Sequence, residues 1–226
     1  MDKKTIQKKR MMKYFISATQ KIIEKESFDL VTIRKVSDLA GFNSATLYNY
    51  FKNLDELVYF SSIKYLEDYV HELPSFIKDC ENTYEVFINI WRCFCIHSFE
   101  KPEIYFHLFF ATDNDSNELI KQYFSLFSDE ISKQSKYLLP MFLSENLYDR
   151  NLSLLKECIN EDFLTSSSIT ELNEMIVLLY ESMLYNILNN KVSYSVEEAT
   201  DKILKYIKNS ILSYINDEMP NAFYNL

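Results

Sequence analysis

The segment TIRKVSDLAGFNSATLYNYFKNLDEL, residues 32–57, decides how this chain is read. Thr32 offers a hydroxyl to the unpaired amides of a helix start, and Ile33, Val36, Leu39 and Ala40 keep the three-and-four rhythm of an inward stripe. Gly41 then stops the helix, because the residue just past a helix end often needs the positive φ that glycine adopts without strain. Phe42 supplies an apolar plug, Asn43 caps a second short helix, and Leu47, Tyr50 and Phe51 turn inward. Asn53, with Glu56 three residues later in the capping-box position, opens a longer helix expected to run to Leu73 and to stop at Pro74. Helix, glycine turn and short helix make a helix-turn-helix unit.

Upstream, Ile6, Met12, Phe15, Ile16, Thr19, Ile22 and Ile23 recur at helical spacing, so an amphipathic helix ending near Ser27 braces this unit. On the second short helix, 100° steps from Leu47 turn Ala45, Tyr48, Asn49 and Lys52 outward, with Ser44 and Thr46 on the flanks. A merely solvated helix more often carries Glu and Lys. Small side chains here let the backbone approach a major groove, while hydroxyls, an amide and a lysine supply hydrogen bonds to bases and phosphates.

The rest of the composition narrows the class. One glycine among 226 residues argues against hairpins, barrels and sandwiches, so the chain reads as all-α. With 47% hydrophobic and 25% charged residues it has the makings of a core. No apolar run approaches the ~20 residues of a membrane span, and MDKKTIQKKRMMK lacks a signal peptide's apolar centre; a cytoplasmic protein is expected. Cys80, Cys93, Cys95 and Cys158, like His71, His97 and His107, show no metal-ligand spacing, and there is no nucleophile motif or phosphate loop. Neither metal, cofactor nor enzymatic activity is expected. Charge is uneven: residues 1–53 hold 11 Lys and Arg against 5 Asp and Glu, a net of +6, leaving −15 for the remainder. That asymmetry suits a module that meets a polyanion.

Residues 32–57 resemble the DNA-binding signature of the TetR/AcrR family of bacterial transcriptional regulators, most closely at Leu39-Ala40-Gly41, Thr46-Leu47-Tyr48, Tyr50-Phe51 and Asp55-Glu56-Leu57. The resemblance implies phosphate contacts from Thr32, Tyr48 and Lys52, and an approach to base edges by Arg34, Ser44, Ala45, Thr46 and Asn49. The family usually has a lysine where Leu54 stands, so one phosphate contact is missing. A three-helix DNA-binding domain over 1–53 is expected to pass into a helical effector-binding and dimerisation domain over 54–226.

In that second part, helices are expected over 83–100, 102–111, 116–137, 147–164, 168–190 and 195–217. The helix at 168–190 is apolar on two sides: Leu172, Met175, Ile176, Leu179, Met183 and Ile187 on one, and Val177, Leu178, Tyr180, Leu184, Tyr185 and Leu188 on the other. The last helix adds Val196, Ala199, Ile203, Tyr206, Ile207, Ser210, Ile211 and Tyr214. By resemblance, these two helices pair with those of a second subunit, and Met175, Leu179, Met183, Ile187, Ile203, Ile207, Ile211 and Tyr214 are the expected homodimer contacts. A twofold pair would set two reading helices ~34 Å apart on palindromic double-stranded DNA.

Trp91, Phe94, His97, Phe106, Phe110, Tyr123, Phe127 and Met183 are the candidates for lining an effector cavity; each taken singly suits an ordinary core better. The expectation is a repressor released from its operator by a small apolar or aromatic molecule. The competing readings are a helical carrier or enzyme for an apolar molecule, and a module that binds another protein.

Overall fold

The computed structural model describes residues 3–110, 119, 122–123, 146–160 and 169–214, the side chains of 158–160 excepted. Among these residues every regular element is helical: α1 (Lys3–Lys25), a 3₁₀ turn (Phe28–Leu30), α2 (Ile33–Ala40), α3 (Ser44–Leu47), α4 (Leu54–Ile63), α5 (Tyr65–Ile77), α6 (Thr83–Glu100), α7 (Pro102–Phe110), α8 (Leu147–Asn160), α9 (Ile169–Leu188) and α10 (Val196–Leu212). Of the helix expected over 116–137, only Leu119, Gln122 and Tyr123 are described, and all three are helical. Phe127 lies outside the described residues. None of the described helices is long and apolar enough to cross a membrane.

The contacts divide the chain into two units, one within Met1–Asp68 and Glu103–Lys133, the other within Tyr69–Pro102 and Gln134–Leu226. In the first, α1 lies against α2 and α4. Its inward stripe of Met12, Phe15, Ile16, Thr19 and Ile22 is buried, but Ile6 is exposed, because at 100° per residue it lies ~140° from the centre of that stripe. Phe15 is the hub: its ring centroid lies 5.5 Å from Phe42, 6.1 Å from Tyr50 and 6.3 Å from Phe51. Phe51 in turn meets Phe60 edge-on at 5.8 Å. Packing these five aromatic rings edge-on and tilted suits their quadrupoles better than face-to-face stacking. In α2 the inward stripe is Ile33, Val36, Ser37 and Ala40; Leu39 lies ~100° off its centre and is exposed. From α7, His107 packs 4.9 Å from the Phe28 ring and 6.4 Å from that of Tyr59.

The helix expected to run unbroken from Asn53 to Leu73 is two helices. Ser61 Oγ donates back to Leu57 O at 2.7 Å, a bond that competes with the helical ladder and bends it, and the ladder tightens at Lys64, where Glu67 N–H bonds the carbonyl three residues back. Nor does Pro74 end α5, which continues to Ile77. Proline has no N–H for the Val70 carbonyl, yet burial of Tyr69, Val70 and Leu73 along one side holds the helix through the missing bond.

In the second unit α6 is the central helix, packed by α8, α9 and α10. Asn82 caps it, accepting the Glu85 N–H at 2.9 Å. Asn190, at φ 52°, turns the chain out of α9 in the left-handed conformation asparagine tolerates, and Lys191 N–H closes onto Asn186 O. Ser195 and Glu198 then form a reciprocal capping box at the start of α10.

Candidate nucleic-acid interface

Two caps and a left-handed glycine shape the region around α3. Thr32 Oγ1 accepts the Lys35 N–H at 3.3 Å. Gly41 sits at φ 80°, and the N–H of Phe42 reaches back to Ser37 O at 3.0 Å, closing α2 in a Schellman-type turn. Asn43 Oδ1 then accepts two bonds from one residue, the Thr46 N–H at 2.8 Å and the Thr46 hydroxyl at 2.9 Å. After α3, the N–H groups of Tyr50 and Phe51 both return to Leu47 O, and the chain leaves through Asn53, which accepts the Glu56 N–H at 2.8 Å. Glu56 answers one residue upstream of the expected capping box, accepting from the Lys52 N–H.

This scaffold fixes what each side chain can do. Leu47 is fully buried, whereas Ala45, Tyr48, Asn49 and Lys52 are exposed and Ser44 and Thr46 half-buried, so the face opposite the core is open. Because the Thr46 hydroxyl proton is already given to Asn43, its oxygen is left as an acceptor, suited to an exocyclic amine on a base rather than to a phosphate. Thr32 is the reverse case: its oxygen is occupied by Lys35 and its proton remains to be donated, which suits a phosphate. Arg34 is 90% exposed, and its 3.9 Å approach to an exposed Asp38 is the kind of surface pair that solvent leaves nearly without worth. Leu54 is half-buried.

The described effector candidates fall in both units. Phe106 and Phe110, half-buried with ring centroids 5.7 Å apart, belong to α7 in the first unit. So does Tyr123, which is buried 5.7 Å from Phe60 and donates its hydroxyl to Glu67 at 2.8 Å. In the second unit, Trp91 and Phe94 meet Tyr180 at 5.4 and 5.2 Å, and Phe99 stacks on the same ring at 6.0 Å. His97 lies against Tyr69, with Nε2 3.2 Å from a Glu72 carboxylate oxygen. Met183 is half-buried on α9.

Trp91 and Phe94 also line a cavity with Tyr69, Ile90, Leu147, Arg150, Asn151 and Leu154. Its volume is about 20 Å³, room for a water molecule and not for an effector. Beside it runs a buried polar relay: the Trp91 indole N–H donates to Asn151 Oδ1 at 2.9 Å, and Asn151 Nδ2 donates to Asn173 Oδ1 at 2.8 Å. Burial, assisted by Glu72, pushes the Cys93 thiol up to about 12, and burial raises Cys95 well above the ordinary range, which disfavours the thiolate at both.

The expected dimer residues also part company. Ile203, Ile207 and Ile211 are buried within the second unit, where α10 packs on α6 and α9, and so are not open to a second copy in this arrangement. Met175, Leu179, Met183, Ile187 and Tyr214 are half-buried, and Leu178, Tyr185, Tyr206 and Leu212 are exposed.

Residues 15–59 match the model of the bacterial regulatory proteins of the tetR family. The chain carries a tetR-family regulatory head. Its fold, too, is that of TetR regulators. FadR of Thermus thermophilus, a TetR-family transcriptional repressor solved with lauroyl-CoA, superposes with a TM-score of 0.59 at 12% identity, covering 93% of this chain and 98% of FadR. RolR in complex with resorcinol gives 0.58 at 13% identity, covering 91% of this chain and 93% of RolR. A TetR-family regulator from Syntrophomonas wolfei gives 0.60 at 14% identity, covering 90% and 96%. None of the curated proteins matches the chain.

The TetR head was visible in sequence because its caps, its glycine and the exposed residues of α3 all fall within 26 positions. Sequence reading missed Asn151 and Asn173, and the signal available was a lone amide inside an otherwise apolar helical stripe. It also missed Leu178 and Tyr206 as the open apolar positions, for which a finer count of which stripe meets α6 was required.

Proposed function

We propose that this TetR-type chain is a ligand-responsive transcriptional repressor that acts in the cytosol as a homodimer on a palindromic operator. The observation that carries the reading is the open face of α3, where Tyr48, Asn49 and Lys52 project beside Ala45 from a turn anchored by buried Leu47. Ala45 admits the backbone to the groove, Thr46 and Asn49 read base edges with Ser44 and Arg34 beside them, and Thr32, Tyr48 and Lys52 hold phosphates. Leu178, Tyr206 and Leu212, with the half-buried Met175, Leu179 and Met183, are the surface proposed for the second subunit in place of the sealed isoleucines.

The effector is proposed to enter the second unit beside Trp91 and Phe94. The cavity there is far below the ~300 Å³ of a ligand pocket, so binding requires an opened form of this region. A molecule that prefers the opened form lowers operator affinity only if that form spaces the two reading helices wrongly, and by reciprocity the operator then weakens the effector.

Selection of bound fragments from the source genome with the full chain tests the reading. One palindromic site should be recovered, light scattering should give a dimer, and a compound library screened by anisotropy should yield a molecule that releases the duplex. A monomer at micromolar concentration, or no enriched site, would sink it.

A further inference from the structure

We infer that the first three turns of α1 are a second contact with the duplex, made by Lys4 and Lys8 on phosphates outside the site read by α3; this rests on the DNA-binding reading above. The buried stripe of α1 is Met12, Phe15, Ile16, Thr19 and Ile22. Stepping back toward the N-terminus at 100° per residue, Lys8 and Lys4 fall within about 60° of the centre of that stripe. The side of the helix that is apolar against the head therefore becomes lysine where the helix overhangs it. Lys4 is exposed and Lys8 half-buried.

Where that overhang points is set by Phe15. Its ring touches Phe42 and Tyr50, the residues that bracket α3 on either side. At 1.5 Å per residue, Lys8 and Lys4 lie about 10 and 16 Å along the axis from Phe15, on the same side of α1 as the reading turn. Phosphates along one strand recur every few ångströms, so both ammonium groups fall within the reach of a backbone flanking the site.

Electrostatics gives an independent reason to look for an anion. Between Lys3 and Ile23 there is no acidic residue, while Lys3, Lys4, Lys8, Lys9, Arg10 and Lys13 crowd the first three turns. Cations at a helix N-terminus oppose the macrodipole, and the first turn from Lys3 carries no aspartate or glutamate. A polyanion laid along this end removes the conflict. The contact carries no sequence information, and it offsets the family lysine that Leu54 replaces.

The test compares the full chain with Lys4→Gln/Lys8→Gln by anisotropy, on a genome-selected duplex and on an unrelated duplex, across a salt series. Losing two phosphate contacts flattens the slope of log affinity against log salt by about 2 per head, or about 4 for a twofold pair, on both duplexes. Lys3→Gln/Arg10→Gln, the same charge change on the opposite side of the same turns, leaves the slope unchanged, and Lys4→Arg/Lys8→Arg restores it. An unchanged slope in Lys4→Gln/Lys8→Gln, or an equal loss in Lys3→Gln/Arg10→Gln, overturns this inference and leaves the α3 reading standing. Failure of the unaltered chain to hold any duplex overturns both.

Discussion

In the head, Asn43 and Asn53 satisfy amides three residues away and stay at the surface; in the second unit, Asn151 joins Trp91, 60 residues distant, to Asn173, 22 residues distant, where all three are buried. The same side chain does two different jobs. An exposed cap competes with water, so its removal costs little stability but leaves the reading turn poorly positioned. A buried amide has no water to fall back on, so its removal strands its partners. The comparison teaches that head variants should lose binding before they lose folding, and body variants the reverse.

The largest effect that comparison predicts is in the relay. Asn151→Leu leaves the Trp91 N–H and the Asn173 carboxamide buried without each other's bridge, costing on the order of 3 kcal/mol in denaturant unfolding. A cost below about 1 kcal/mol would mean that water reaches the relay, and the contrast with the head would collapse. Asn151→Leu/Asn173→Leu should recover part of the loss, because the acceptor is removed along with the donor.

Next come the residues proposed to read the duplex. Tyr48→Ala and Thr46→Ala should each weaken a genome-selected operator roughly tenfold, about 1.4 kcal/mol, with the melting temperature nearly unchanged. Lys52→Gln should weaken related and unrelated duplexes alike and flatten the salt slope by about 0.9 per head. If these variants melted early instead, the open face of α3 would be a structural surface.

Asn43→Ala should cost about 1 kcal/mol of head stability. It also frees the Thr46 hydroxyl proton, so its operator preference should change at the base that Thr46 faces, which a randomised-site selection reads directly.

The smallest effect is a pH dependence confined to the first unit. Burial against Phe28 and Tyr59 lowers His107 below its ordinary 6.5, against a smaller opposing pull from Asp55. The folded state then resists a proton that the unfolded chain takes up, so stability is fully present above about pH 6.5 and falls as the pH drops through that value. Burial and Asp29 raise Glu103, which works in the opposite sense over a more acidic range starting at its ordinary 4.5. The difference in unfolding midpoint between the parent chain and His107→Leu isolates the histidine: from pH 7.5 to 5.5 the parent should lose ground. Equal losses would show that His107 is solvated.

The head was legible in sequence for a physical reason. Caps, a left-handed glycine and a four-residue helix depend on neighbours a few positions apart, so Thr32, Gly41, Asn43 and Asn53 could be placed before any packing was known. The matching of α6 to residues 83–100 had the same origin, in Asn82 and a regular apolar rhythm. Leu39 and Ile6 were misjudged because each lies ~100° or more from the centre of its helix's buried stripe, and hydrophobicity alone does not say which stripe is buried. Pro74 was misread as a stop, since the local penalty of one lost bond was outweighed by the burial of Tyr69, Val70 and Leu73.

Short-range chemistry thus determined the all-helical class, the α2–α3 turn and the uneven charge along the chain. Tertiary structure alone decided that Tyr123 packs against Phe60, that Ile203, Ile207 and Ile211 are buried, and that Trp91, Asn151 and Asn173 meet. An apolar stripe specifies that a face will be buried; which partner buries it depends on how helices far apart in sequence fill one another's grooves, and no local pattern carries that information.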